Sequence, residues 1–192
     1  MKSLTNEILE QLGDSGIEKI SQSVGKDSAT TKNLLSTITP FIVSGLSKNS
    51  EDATERDSLF ETINRHSGSV FDKVQDESTH SEIMGDGEKI FSHIFKDNSA
   101  NAISELTKNS DADESTVKKV VSLLGPMVLG KLADKKVAGE IDLGNIADFL
   151  GQKDALNSKE GIMGMATKLL DKDKDGNLIN EAISFITNRF KK

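Results

Sequence analysis

The stretch Asp27-Ser28-Ala29-Thr30-Thr31-Lys32-Asn33-Leu34-Leu35-Ser36-Thr37-Ile38-Thr39-Pro40-Phe41-Ile42-Val43-Ser44-Gly45-Leu46 decides how this chain is read. Leu34, Leu35, Ile38, Phe41, Ile42 and Leu46 recur at spacings of three and four, the period of a helix with one buried face. Asp27 stands where a carboxylate can accept a free backbone N–H and start that helix. The same stretch returns without a gap at an offset of 86 residues, from Asp113 to Leu132. Asp27 matches Asp113, Lys32 matches Lys118, Leu34-Leu35-Ser36 matches Val120-Val121-Ser122, and Leu46 matches Leu132. The chain has two prolines, and Pro40 and Pro126 fall at the equivalent position.

The match extends backwards, so that residues 17–46 align with 103–132 and Ile17 and Ile20 fall on Ile103 and Leu106. Each unit therefore reads as a short helix, a turn and a longer helix. Proline lacks a backbone donor and clashes with the preceding turn, so the longer helix is expected to be broken or kinked there. Gly45 and Gly130 suit close backbone approach.

Further helical stripes lie outside the repeat. Leu4, Ile8 and Leu12 share a face; Leu59, Phe60 and Ile63 mark a short helix; Ile90, Phe91, Ile94 and Phe95 mark another. No segment sustains a period of two, so no sheet is expected. Residues 47–58 and 72–88, the latter holding Met84-Gly85-Asp86-Gly87, read as polar connectors, as do parts of 133–145 and 151–160. The fold class is all-α: a multihelical bundle with an internal duplication of a helix-turn-kinked-helix unit. The expected divisions are a first unit over 1–70, a connecting segment with a short helix over 71–100, a second unit over 101–150, and a C-terminal helix-loop-helix over 151–192. They form one compact domain or two packed halves.

Composition narrows the function. The 192 residues carry a net charge of −7, which opposes nucleic acid and anionic lipid as partners. Eight Phe and no Trp or Tyr leave Leu, Ile, Val and Met to fill the core. There is no Cys, hence no disulfide, thiolate zinc site or cysteine nucleophile. Glu7 and Glu10 interrupt the N-terminal apolar pattern, and no run approaches the roughly 20 apolar residues of a membrane helix. The expected location is the cytoplasm. His66, His80 and His93 form no i, i+4 pair, and no nucleophile elbow, P-loop or dinucleotide fingerprint is present. The chain is not read as an enzyme.

One motif carries chemistry. Asp171-Lys172-Asp173-Lys174-Asp175-Gly176-Asn177-Leu178 follows the first eight positions of an EF-hand loop, between segments of helical pattern. Carboxylates of Asp171, Asp173 and Asp175 at alternate positions converge on one point, and the Asn177 carbonyl adds a fourth oxygen. The bidentate Glu that usually closes such a loop at position 12 is replaced by Ala182, with Glu181 one residue earlier. Glu181 is thus a conditional ligand, and the expected Ca²⁺ site is weak or structural. The alternative is a solvated turn whose aspartates cap the last helix.

Several stretches together resemble the YidB-like bacterial family of unknown function. They are Val24-Gly25-Lys26-Asp27, the proline-bearing helix running to Leu46-Ser47-Lys48-Asn49-Ser50, then Gly85-Asp86-Gly87-Glu88-Lys89-Ile90-Phe91-Ser92-His93-Ile94-Phe95. Leu123-Leu124-Gly125-Pro126-Met127-Val128-Leu129-Gly130 and the C-terminal Asp-rich segment follow in the same order. The resemblance implies an all-helical core faintly like homeodomain folds and an acidic position at Glu181. It implies no catalytic residues.

Three readings of function follow. The first is a structural or protein-interaction module with one Ca²⁺ site. The second is a metal-independent helical scaffold or oligomerisation protein, with an apolar groove near Phe41 and Met127 for an unknown protein partner or a second copy. The third, a homeodomain-like nucleic-acid binder, rests on Lys118, Lys119, Lys131, Lys135 and Lys136, more simply a solvated face. No membrane partner is expected.

Overall fold

The computed structural model describes residues 2–155 and 169–170, which are all-helical with no strand among them. The helices are α1 (Leu4–Val24), α2 (Ser28–Ser50), α3 (Ala53–Arg65), α4 (Val70–Val74), α5 (His80–Phe95), α6 (Ser99–Lys108), α7 (Glu114–Val137) and α8 (Ile146–Ala155). Short 3₁₀ turns at Glu77–Thr79 and Lys96–Asn98 lead into α5 and α6. The Asp-rich loop, with Asp171, Asp173, Asp175, Asn177 and Glu181, lies outside the described residues.

The two proline helices form the spine. Asp27 and Asp113 cap them in nearly the same conformation, φ −72°, ψ 162° and φ −71°, ψ 162°. Each carboxylate accepts the backbone N–H and the hydroxyl of the threonine three residues on, Thr30 at 2.8 and 2.6 Å and Thr116 at 2.9 and 2.9 Å. Ser36 and Ser122 each turn a hydroxyl back to the carbonyl four residues earlier, both at 2.8 Å. Pro40 and Pro126 are buried inside helices that run on without a non-helical residue, so neither helix is broken at its proline. Both prolines are buried, so the helices continue through them despite the missing donor. The interruption falls instead in α1, at Gly13 (φ 60°, ψ −177°), a backbone conformation that a Cβ disfavours. It re-aims the helix between the Leu4, Ile8, Leu12 face and the Ile17, Ile20, Val24 face, all of them buried.

Segments read as polar connectors are largely helical. Residues 47–50 complete α2, 53–65 form α3, and Met84-Gly85-Asp86-Gly87 sits inside α5. Polarity there marks an outer helix face rather than a loop. Gly87 shows why: a Cβ at this position would lie 1.7 Å from the Ser122 carbonyl oxygen, so α5 crosses α7 backbone to backbone. Gly45 and Gly130 also sit at close approaches, against Ile94 and Phe95 of α5 and against the Ser67 carbonyl.

One apolar cluster draws on α1 to α8. Its largest side chains include Phe41 and Phe95, which stack with centroids 4.9 Å apart, and Phe91 continues the stack at 4.6 Å from Phe95. Three of the eight phenylalanines thus meet where α2 packs on α5. Phe41 and Met127 are fully buried, so the apolar groove expected around them is core rather than surface. Leu169 and Leu170 pack against the same cluster, and Asn98 donates through Nδ2 to the Leu169 carbonyl at 2.5 Å. Among the described residues no helix is long and apolar enough to cross a membrane.

Candidate functional site

The opening that the fold leaves lies between α3 and α5. Both helices pack on α2 and α7, yet they make no extensive contact with one another. The gap is a cleft of about 880 Å³. Leu46 of α2 and Pro126 and Leu129 of α7 line it, with Leu59 of α3 and Ile90 and Ile94 of α5 on its sides. Leu46, Leu59, Ile90, Ile94 and Leu129 are core side chains, none more than 8% exposed, so they form the base of the cleft and leave most of its accessible surface to the walls. Polar side chains, among them Ser58, Thr62 and Lys89, stand on the walls.

Side-chain bridges cross the cleft. At one end Glu55 of α3 accepts from Lys96 at 2.5 Å and lies 3.7 Å from His93 Nε2. Farther along, His66 Nε2 lies 2.9 Å from Asp86 of α5, while Nδ1 lies 2.8 Å from the Thr62 carbonyl. A carbonyl oxygen only accepts, so Nδ1 carries the proton there. Beyond it Lys73 of α4 reaches Glu82 of α5 at 3.1 Å. The pairings run α3 start to α5 end and α3 end to α5 start, so the two helices flank the cleft antiparallel.

Each acid on the cleft wall thus has a side-chain neighbour across it: Glu55 pairs with Lys96 and Glu82 with Lys73, while Asp86 lies against the His66 ring. Among the described residues Lys89, exposed on the wall between the first two bridges, has no acid within 4 Å. The cleft therefore combines an apolar base with a lysine that has no acid partner among the described residues. His80, by contrast, is buried below, its Nε2 held by the Val74 carbonyl at 2.8 Å to pin the α4–α5 turn.

Sequence reading did not find this site. Its residues come from five helices, α2, α3, α4, α5 and α7, and its signal is the lack of extensive packing between α3 and α5. His66 and His93 fall at the end of α3 and on the outside of α5, in keeping with a turn and a surface position. The lysines once read as a basic face are dispersed. Lys135 is tied to Glu7 and Glu140 at 3.0 and 2.9 Å, Lys136 lies over the Phe60 ring at 5.0 Å, and Lys118 pairs with Glu114 at 2.6 Å. Burial alone would lower the Lys135 pKa, but hydrogen bonds to Glu140 and Glu7 and their charges outweigh it and raise it above 10.5. Among the described residues no three His, Asp or Glu side chains are grouped to hold a metal ion.

No curated protein and no solved structure matches the chain. A family model does, over residues 6–135, a span that contains every residue named for the cleft. The chain belongs to the family of bacterial proteins of unknown function designated DUF937.

Proposed function

We propose that this protein is a non-catalytic helical binding module, structural or protein-interacting in role, whose working face is the cleft between α3 and α5. The observation that carries the reading is the separation of these helices above an apolar floor. The reading assigns no reaction to the chain and keeps the cytoplasm as its location.

The chain has no cysteine, so a single reporter thiol is unambiguous. Thr62→Cys, labelled with an environment-sensitive dye, probes the cleft; Lys32→Cys probes the far side of α2. A bacterial extract should change the fluorescence of the first label alone. Equal responses, or none, would remove the cleft as the working face.

The reading includes a Ca²⁺ site at the C-terminal loop, with Asp171, Asp173, Asp175, the Asn177 carbonyl and Glu181 as ligands. Support comes from the alternating carboxylates ahead of Gly176. Calcium there would stabilise the chain by mass action. Calorimetric titration should give one site that Asp173→Ala removes, and a melting midpoint unmoved by millimolar Ca²⁺ would refute it.

The duplication belongs to the same reading. Matched caps, matched serine back-bonds and matched prolines in α2 and α7 support two copies of one unit. The segments 1–70, 71–100, 101–150 and 151–192 are then read as parts of one domain.

A further inference from the structure

We infer that α3 is a lid over the cleft, latched by the Glu55–Lys96 bridge, and that lifting it uncovers the apolar base beneath. This rests on the cleft as the working face and adds how that face is reached.

Three observations carry it. The first is the base. Leu46, Leu59, Ile90 and Leu129 meet there, and none is more than 8% exposed, so the closed fold keeps this apolar surface from a partner. Leu59 belongs to α3 and leaves with it, while Leu46, Ile90 and Leu129 stay on α2, α5 and α7. The second is how lightly α3 is held. Of its thirteen residues only Leu59 and Ile63 are buried, against seven of sixteen in α5. Segments with few buried apolar side chains are the ones that open first. The further ties of α3 are single side-chain contacts. Arg56 reaches the Ser50 carbonyl at 3.5 Å, Lys136 meets Asn64 and the Phe60 ring, and His66 lies against Asp86 at 2.9 Å. Short links at 51–52 and 66–69 join α3 to its neighbours, so it can turn as one piece.

The third observation is the latch. Lys96 caps the end of α5 at φ 49°, ψ −127°, and among the described residues it is the one non-glycine with a positive φ. A Cβ makes such a conformation costly, and it persists only where the surroundings hold it. Phe95 is fixed in the core on one side, and the Lys96 ammonium donates to Glu55 of α3 at 2.5 Å on the other. The strain therefore offsets part of what the bridge contributes, and the closed lid is poised rather than locked.

Hydrogen–deuterium exchange of the full-length chain, read by mass spectrometry, tests the lid. In the parent protein α3 should exchange as one unit, with protection about a hundredfold or more below that of α5 and α7. Glu55→Gln and Lys96→Ala break the bridge and keep the strain. Each should speed exchange in α3 about tenfold and leave α7 within about twofold. Lys96→Gly breaks the bridge and removes the strain, so its α3 should exchange about fivefold more slowly than that of Lys96→Ala. Circular dichroism melts verify that the variants fold, and the comparison within the parent protein needs none of them.

Exchange of α3 in step with α5 and α7 would overturn the proposal. So would α3 exchange that Glu55→Gln leaves unchanged, or that Lys96→Ala and Lys96→Gly speed alike. The Thr62 label reports separately on the cleft as a binding face. Its response to bacterial extract in a chain whose α3 does not open would keep that face and remove the lid.

Discussion

Lys26 Nζ lies 3.4 Å from Asp113 Oδ2, so the residue beside the cap of α2 is paired with the cap of α7. The two proline helices start side by side, and their first turns depend on the same kind of carboxylate. The Thr116 N–H and hydroxyl, with Lys26 behind them, hold the Asp113 carboxyl at about 2. The Thr30 hydroxyl and N–H lower Asp27 in the same way. A depressed folded pKa contributes stability above the unfolded value of about 3.8, and that contribution is lost as pH falls toward the folded one. Thermal melts between about pH 5 and about pH 2 should show Asp113→Ala converging on the parent protein at the acid end. Near neutrality the variant should melt roughly 2–4 °C lower. A difference independent of pH would rule out the cap as its cause.

At the other end of α7, Lys135 joins Glu7 of α1 and Glu140 beyond the helix. Its raised pKa means a contribution fully present below about 10.5 and lost as pH rises through the higher folded value. Lys135→Met should cost about 1–3 kcal/mol in urea unfolding at about pH 8, because Glu7 is left largely buried beside an apolar chain. The gap from the parent should narrow above pH ~10.5.

Two glycines of α5, two residues apart, should respond oppositely to alanine. At Gly85 a Cβ meets no atom within 4 Å, so Gly85→Ala removes only the excess freedom of the unfolded chain and should stabilise by up to ~1 kcal/mol. At Gly87 the Cβ would overlap the Ser122 carbonyl, and α5 must lift from α7. Gly87→Ala should destabilise by about 3 kcal/mol or more. Equilibrium denaturation of the pair reads both signs in one experiment.

The stack of Phe41 on Phe95 anchors α2 to α5 at the centre of the core. Phe95→Ala should cost about 3–5 kcal/mol, since both rings are fully buried and Gly45 already brings the helices too close to collapse into the hole. Phe60→Ala, at a partly exposed ring under Lys136, should cost much less.

The spine was legible because its signals are local. An aspartate followed three residues on by threonine, and a proline among regularly spaced apolar residues, each mean the same thing wherever the chain carries them. Of the break or kink expected at each proline, the break does not occur: Pro40 and Pro126 are buried inside continuous helices. Met84-Gly85-Asp86-Gly87 misled for a related reason: a glycine that permits a turn also permits two backbones to meet, and only the neighbouring helix decides between them. The cleft left no trace in any one segment. Leu46, Leu59, Ile90 and Leu129 are ordinary core residues in sequence, and they meet at the base of the cleft only because α3 and α5 stand apart.

That separation divides the molecule into a scaffold and a set of walls. Ser58, Thr62 and Lys89 take no part in the contacts between α2 and α7, so their identities are uncoupled from what holds the chain together. Substitutions there cost little in stability, while Gly87 or Phe95 has almost no freedom to change. Proteins built on this plan can therefore diversify in what they bind, one wall position at a time, without refolding the spine.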